Sequence, residues 1–265
     1  MLKWRLESDN MHRLHVTFYG GLCNRLRSLS GALHVCEALN MTLVMDWHES
    51  DDMCPSTFED LFQPIPGVIT HLTQDQCQTV LHHIPWGSAH QGDWKKRFLP
   101  EEPDKEFWSR VTYWMKALSP VEEISESIER CKARMTSSTI GVHVRRTDLL
   151  IWDGNTHWPI DGPGTDELLI KRLDSEPEET TFFVATDNPE SMEMLQERYG
   201  DRVIAHPKLW LDRFRKTDIG DTVVDLYCLA ACSRIVGTHW SSFSGYASHL
   251  GDGSAEFIGI PRKGD

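Results

Sequence analysis

An α/β fold built of two successive β/α halves, each around a parallel sheet, is what this sequence predicts, on three observations. Leu14–Tyr19, Gly20-Gly21, a run with Leu26, Leu29, Leu33 and Cys36 at helical spacing, and Met41–Asp46 follow one another as strand, glycine turn, helix and strand. That is the βαβ unit of a parallel sheet. Thr181-Phe-Phe-Val-Ala185 is a near-continuous apolar run, as expected of a parallel strand buried on both faces. From residue 139 onward, short apolar runs alternate with helical patterns to the end of the chain.

In the first half, Asn40 suits the C-terminus of the helix, because asparagine tolerates the left-handed backbone found there. Ser56-Thr-Phe-Glu59 has the spacing of a capping box for a short helix, and Ile65–Leu72 reads as a strand. Residues 84–103, rich in Pro, Trp, Gly and charge, read as an irregular loop. Residues 104–118 and 120–134 read as helices, the second with Ser119 as N-cap and Pro120 at its first position. The second half starts with the strand Thr139–Arg145, followed by a polar loop from Thr147 to about Gly164. A helix is expected over 165–173, a strand over 181–185, a helix over 188–199 and a strand at 203–205. A helix over 221–232, a strand over 234–238, a helix over 241–250 and a last strand near 257–260 complete the pattern. The expected boundary gives an N-terminal half, 1–135, and a C-terminal half, 136–265.

The chain has 265 residues, 40% hydrophobic and 25% charged, which suits one or two globular units with sizeable cores. A net charge of −13 disfavours nucleic acid and anionic membranes as partners. A small anion in an arginine-lined cleft stays compatible with it. Seven cysteines, an odd number without a Cys-x-x-Cys pair, read as reduced thiols. Cys228 and Cys232 lie within an apolar helical pattern and read as core. The start MLKWRLESDN is charged throughout and lacks an apolar signal core, and no window approaches the roughly 20 apolar residues of a membrane span. A soluble protein without an export signal is expected.

In open α/β sheets ligands bind at the carboxyl ends of the strands, and five motifs fall there. In Gly141-Val-His-Val-Arg-Arg-Thr-Asp148 an apolar strand runs into Arg145, Arg146 and Asp148. Adjacent strand side chains face opposite ways, so one arginine can reach a ligand while the other braces structure. A guanidinium grips phosphate bidentately; a salt-bridged surface strand end is the plain alternative. Tyr19-Gly-Gly-Leu-Cys-Asn-Arg-Leu26 sets glycines between strand and helix, where backbone N–H groups can meet an anion, or form an ordinary turn. Thr238-His-Trp-Ser-Ser-Phe-Ser244 offers hydroxyls and N–H groups at a helix start, either as a phosphate seat or as caps from Ser241 or Ser242. In Ala185-Thr-Asp-Asn-Pro189, Asp187 either touches a ribose or base or caps the helix. Asp225, in the apolar stretch Val223–Ala230, either lies on the helix surface or has a partner. Guanine, with two parallel N–H donors on one edge, is such a partner. No Gly-x-Gly-x-x-Gly fingerprint and no Gly-Lys-Ser/Thr loop occurs, which sets aside a dehydrogenase or P-loop enzyme.

In this order the motifs resemble the fucosyltransferase superfamily of GT-B fold, comprising the core α1,6-fucosyltransferases, the nodulation-factor fucosyltransferase and the protein O-fucosyltransferases. The resemblance rests on Ile140–Asp148, Ala185-Thr-Asp187, Asp225 and Ser241-Ser242-Phe243, and on Gly21-Leu-Cys-Asn-Arg25 as the N-terminal glycine–asparagine loop. It implies two Rossmann-like halves with a cleft between them, the first serving the acceptor and the second the GDP-sugar donor.

The resemblance assigns the β-phosphate to Arg145, with Arg146 in support, and guanine to His143 and Asp225. It places Ser241, Ser242 and Phe243 at the phosphates and fucose, and Thr186 and Asp187 in the donor site. Asn24, with its neighbours Gly21, Leu22, Cys23 and Arg25, would meet the sugar and pyrophosphate. Asp153 falls where the core α1,6 enzymes place a glutamate proposed as base, and Asp148 is the other carboxylate in reach. The family's lysine after Arg-Arg-Thr-Asp is Leu149 here.

The implied reaction is a single displacement with inversion, in which a glycan or other hydroxyl attacks as GDP departs. No Asp-x-Asp occurs in the sequence, so transfer without a metal or other cofactor is expected. Lacking the anchor and disulfides of eukaryotic relatives, the chain is expected to be a cytoplasmic enzyme of bacterial or viral origin. Two other readings fit the same residues: a transferase of this fold using another nucleotide sugar, and a non-catalytic nucleotide-sugar-binding protein.

Overall fold

The computed structural model describes residues 13–47, 53–70, 80–84, 91–146, 163–208, 216–238 and 241–258. The chain divides into two compact units, Met1–Val121 and Glu122–Asp265.

The first unit opens with the expected βαβ module. Strand β1 (Arg13–Phe18) leads through Gly20, at φ +82°, into helix α1 (Leu22–Leu39), and β2 (Thr42–Trp47) returns parallel to β1. Helix α1 ends where expected: Asn40 is left-handed at φ 52° and ψ 50°, and its N–H turns back to the carbonyls of Cys36 and Glu37. The third strand is β3 (Val80–Ile84), giving the sheet order β2-β1-β3. Of the strand expected at Ile65–Leu72, residues 65–70 are described, and they form a single bridge between Ile69 and Val44. Pro64 and Pro66 lack the N–H groups a ladder needs. Ser56–Glu59 forms no helix; Thr57 and Asp60 instead exchange hydrogen bonds between backbone and side chain within one turn, at 2.9 and 3.1 Å.

The expected loop at 84–103 contains helix α2 (Gln91–Phe98). Trp94 anchors it: the residue is 1% exposed, donates to Ser28 Oγ at 3.3 Å, and packs against Gly31 of α1. A Cβ on Gly31 would stand 2.6 Å from Trp94 Cδ1, so glycine is what admits the ring. Helix α3 (Asp104–Ala117) packs on the same α1, with Trp114 Nε1 donating to Glu37 Oε2 at 3.1 Å.

The helix expected to begin at Pro120 begins two residues later, as α4 (Glu122–Lys132). Residues 119–121 are held by an antiparallel bridge between Phe62 and Pro120, in which Val121 N donates to Leu61 O at 3.1 Å. Helix α4 lies in the second unit, where Ile124 faces Gly220 and Ile128 O accepts from Cys228 Sγ at 3.9 Å. The division of the chain therefore falls ahead of the 135/136 boundary that the sequence suggested.

The second unit is a five-stranded parallel sheet in the order β6-β5-β4-β7-β8. Its strands are β4 (Ile140–Val144), β5 (Phe182–Thr186), β6 (Val203–Ile204), β7 (Arg234–Thr238) and β8 (Ser254–Ile258). Between them run α5 (Pro163–Asp174), α6 (Pro189–Tyr199), α7 (Lys216–Ala230) and α8 (Ser242–Leu250). Alternation along β4 sorts its side chains. Ile140, Val142 and Val144 join Phe182, Val184, Leu169, Leu173 and Leu195 in one core. Gly141 and His143 face α7 and α8 on the other side; a Cβ on Gly141 would stand 2.9 Å from Leu229 Cδ2.

The chain moves outward from β4 to β5 and β6 in one direction, then to β7 and β8 in the other. The order reverses at β4, and the carboxyl ends of β4, β5 and β7 surround the place where an open α/β sheet binds ligands. The six described cysteines are buried and unbridged. No helix among the described residues is long and apolar enough to cross a membrane.

Candidate active site

In the first unit the glycine loop leads into an α1 N-terminus with no side-chain cap at Gly21 and no acidic residue in its first turn. A helix start of this kind presents N–H groups and a partial positive charge to an anion. Leu22 and Cys23 are buried at 5% and 4% exposure, so they can offer a ligand only backbone. Asn24 is half-buried, with its backbone N–H donating to Gly21 O at 3.0 Å. Arg25 is fully buried, with Nε donating to Gly20 O at 2.7 Å and its guanidinium 5.1 Å from the centre of the Trp47 ring. Its visible work is to hold the loop that presents Asn24.

In the second unit the two arginines after β4 separate as strand alternation requires. Arg146 is 6% exposed, pairs with Asp166 of α5, and its N–H donates to Asp187 Oδ1 at 2.7 Å. Asp187 therefore ties β5 to β4, and the cap of α6 is its neighbour Asn188, which accepts from Ser191 N at 2.8 Å. Thr186 Oγ1 accepts from Asn188 N at 3.2 Å. Arg145 is half-buried, and its N–H donates to Thr238 Oγ1 at 3.1 Å while Thr238 donates to His143 O, also at 3.1 Å. This clasp joins the ends of β4 and β7 at the reversal point.

His143 is 8% exposed, with Nδ1 2.7 Å from Ser244 Oγ and its ring 4.8 Å from that of Phe243. Burial, then the charges of Arg145 and Lys208, push its pKa down to about 3, so the imidazole is neutral. Ser241 caps α8, accepting from Phe243 N at 3.2 Å, and Ser242 opens the helix half-buried beside it.

Asp225 is 4% exposed, which sets aside a surface position. One carboxylate oxygen, Oδ2, is paired with Lys208; the other, Oδ1, is buried without a hydrogen-bond partner among the described residues. Burial raises its pKa, while Lys208 and His206 work against that shift. Asp148 and Asp153, the two candidate bases, and Leu149 lie outside the described residues.

Two residues of this site carried no signal in the motif reading. Lys208 follows the two-residue strand β6, and so obeys the same strand-end rule that singled out the other motifs. Ser244 sits inside a helix; the sequence mark of its position is Gly237 on β7, where a Cβ would stand 2.7 Å from Ser244 Cβ.

Fold and site together define an α/β protein of the GT-B class with a polar, arginine-bearing edge on its second unit. The fold is that of the fucosyltransferases of known structure. The chain matches no protein-family model and no curated relative by sequence. Among solved structures, it is similar to the fucosyltransferase NodZ from Bradyrhizobium at 18% identity, covering 91% of this chain and 94% of that one, with a TM-score of 0.59. Another NodZ crystal was soaked with GDP-fucose. A mutant of Arabidopsis thaliana FUT1 in complex with GDP is 14% identical, covering 97% of this chain and 72% of that one, with a TM-score of 0.59. POFUT1 in complex with GDP is 16% identical, covering 96% and 100%, with a TM-score of 0.53.

Proposed function

We propose that this protein is a glycosyltransferase that moves fucose from GDP-fucose to a hydroxyl of a glycan or other acceptor, with inversion and without a metal. The observation that carries the reading is Asp225: a carboxylate buried at a strand-end edge, with one oxygen held and the other left for a ligand. A carboxylate accepts hydrogen bonds only, and guanine supplies two adjacent N–H donors. His143, neutral and backed by Phe243, completes the base site. The GDP or GDP-fucose bound by fucosyltransferases of this fold supports the same donor.

Arg145 then takes the β-phosphate. As the bond to fucose breaks, negative charge grows on that phosphate, and a fixed guanidinium stabilises it in place of water. The start of α8, capped by Ser241 and opened by Ser242, adds its hydroxyls and remaining N–H groups to the same charge. The first unit, with Asn24 at the start of α1, we assign to the acceptor. Asp153 or Asp148 removes the hydroxyl proton.

The test is thermal stabilisation by nucleotides followed by donor turnover. GDP raises the melting temperature more than ADP or UDP, and GDP-fucose is hydrolysed or transferred faster than other GDP-sugars. Equal shifts with all three nucleotides would remove the guanine assignment. Equal turnover of several GDP-sugars would keep guanine and remove fucose.

A further inference from the structure

We propose that Lys208 sets the base selectivity of this site, by holding Asp225 in the acceptor-only form that a guanine edge requires. The inference rests on the reading of Asp225 as the base-binding carboxylate.

Lys208 is fixed from three sides. The segment Ala205–Lys208 beyond β6 is latched to α7 at two points: His206 Nε2 lies 2.6 Å from Asp221 Oδ1, and Lys208 Nζ pairs with Asp225 Oδ2. Asp221 and Asp225 are four residues apart, on one face of the helix. Lys208 Nζ also lies 3.5 Å from Thr186 O at the end of β5. The side chains of Lys208 and Asp225 are 9% and 6% exposed, so the pair is a buried one.

Both partners lose hydration in such a pair, and removing one leaves the other's charge uncompensated. Burial drives Asp225 toward its protonated form and the charge of Asp221 adds to this, while Lys208 and His206 oppose it. The other titratable groups close by are His143 and Arg145 at the end of β4, and Cys228 one turn along α7 with Cys131 of α4 beside it. The balance leaves the carboxyl above the usual carboxylate range, and Lys208, paired with Oδ2, is the main influence opposing that rise.

The protonation state decides which base edge fits. An ionised carboxylate only accepts; each oxygen has two lone pairs, so Oδ2 can hold Lys208 while both oxygens face the two N–H donors of guanine. A protonated carboxyl presents one donor and one acceptor, which matches adenine's N–H beside a ring nitrogen. Removing the lysine charge therefore moves the site from guanine toward adenine, and does so most at low pH.

The experiment is calorimetric titration of GDP and ADP onto the full chain at about pH 6 and about pH 8.5, on the wild type, Lys208→Met and Lys208→Arg. The GDP-to-ADP ratio is read, so titration of the diphosphate common to both ligands cancels. The wild type prefers GDP by about tenfold or more at both pH values. Lys208→Met loses more of that preference at the lower pH than at the higher one, and Lys208→Arg keeps it throughout. Lys208→Gln, which retains a donor without the charge, makes the same prediction where the methionine variant fails to fold. A neutral variant that keeps the wild-type ratio at about pH 6, or loses it equally at both pH values, overturns the proposal. A wild type without GDP preference overturns the reading of Asp225 itself.

Discussion

Ser244 Oγ lies 2.7 Å from His143 Nδ1, so a helix residue holds the tilt of an imidazole on the neighbouring strand. Gly237 makes room for it, since a Cβ there would overlap Ser244 Oγ and stand 2.7 Å from Ser244 Cβ. Two substitutions therefore act on one contact. Ser244→Ala removes one hydrogen bond, worth about 1 kcal/mol, and lowers GDP affinity about fivefold by calorimetry. Gly237→Ala forces the helix off the strand and lowers stability by about 1–3 kcal/mol in urea unfolding. A Gly237→Ala protein as stable as the wild type would contradict this packing.

Arg145 and Arg146 are neighbours with different expected phenotypes. Arg145→Ala leaves a folded protein and lowers donor turnover about 10²–10³-fold, the usual loss for one preorganised donor at a developing charge. Arg146→Ala breaks the half-buried pair with Asp166 and lowers stability by about 1–3 kcal/mol. Steady-state rates and denaturant midpoints on both variants separate the roles; the reverse pattern would exchange them.

The two histidines give stability opposite dependences on pH. Burial pulls His206 down, but its bonds to Asp221 and Cys131 and the charges of Asp221 and Asp225 outweigh this and raise its pKa from 6.5 to about 9. The stability it contributes is complete below about pH 6.5 and is lost as pH rises through about 9. His143, held down to about 3, contributes above about pH 6.5, and that contribution is lost as pH falls from there toward 3. In urea midpoints across pH, Asp221→Asn flattens the alkaline side and His143→Gln the acid side. A wild-type profile without an alkaline fall would remove the His206–Asp221 pair.

Trp94→Ala leaves a cavity on α1 and costs about 3–5 kcal/mol, without changing the order of nucleotide preference of the folded protein. Chemical denaturation and a nucleotide panel on the same sample check both parts. A change in nucleotide preference would show that Trp94 does more than pack.

The βαβ opening was legible because Gly20-Gly21 and Asn40 mark its turn and its helix end by backbone chemistry that few other residues satisfy. Strand β3 was not, since Val-Leu-His-His-Ile shows neither strict alternation nor an unbroken apolar run, while Ile65–Leu72 has a better apolar pattern but is interrupted by Pro66. Helix α2 was hidden because its one strong contact, Trp94 on Gly31, lies across the fold and leaves no local period. At the site, His143, the two arginines and Asp225 stood out as polar groups ending or interrupting apolar runs. Lys208 did not, because a lone lysine after a two-residue strand looks like any solvated one until α7 folds back and buries it against Asp225.

The central claim is tested most directly by a crystal soaked with GDP-fucose. The guanine edge is expected on Asp225 with His143 and Phe243 at the ring, and the β-phosphate on Arg145, at the carboxyl ends of β4 and β7. A nucleotide bound with its base away from Asp225, or its phosphates away from Arg145, would contradict it.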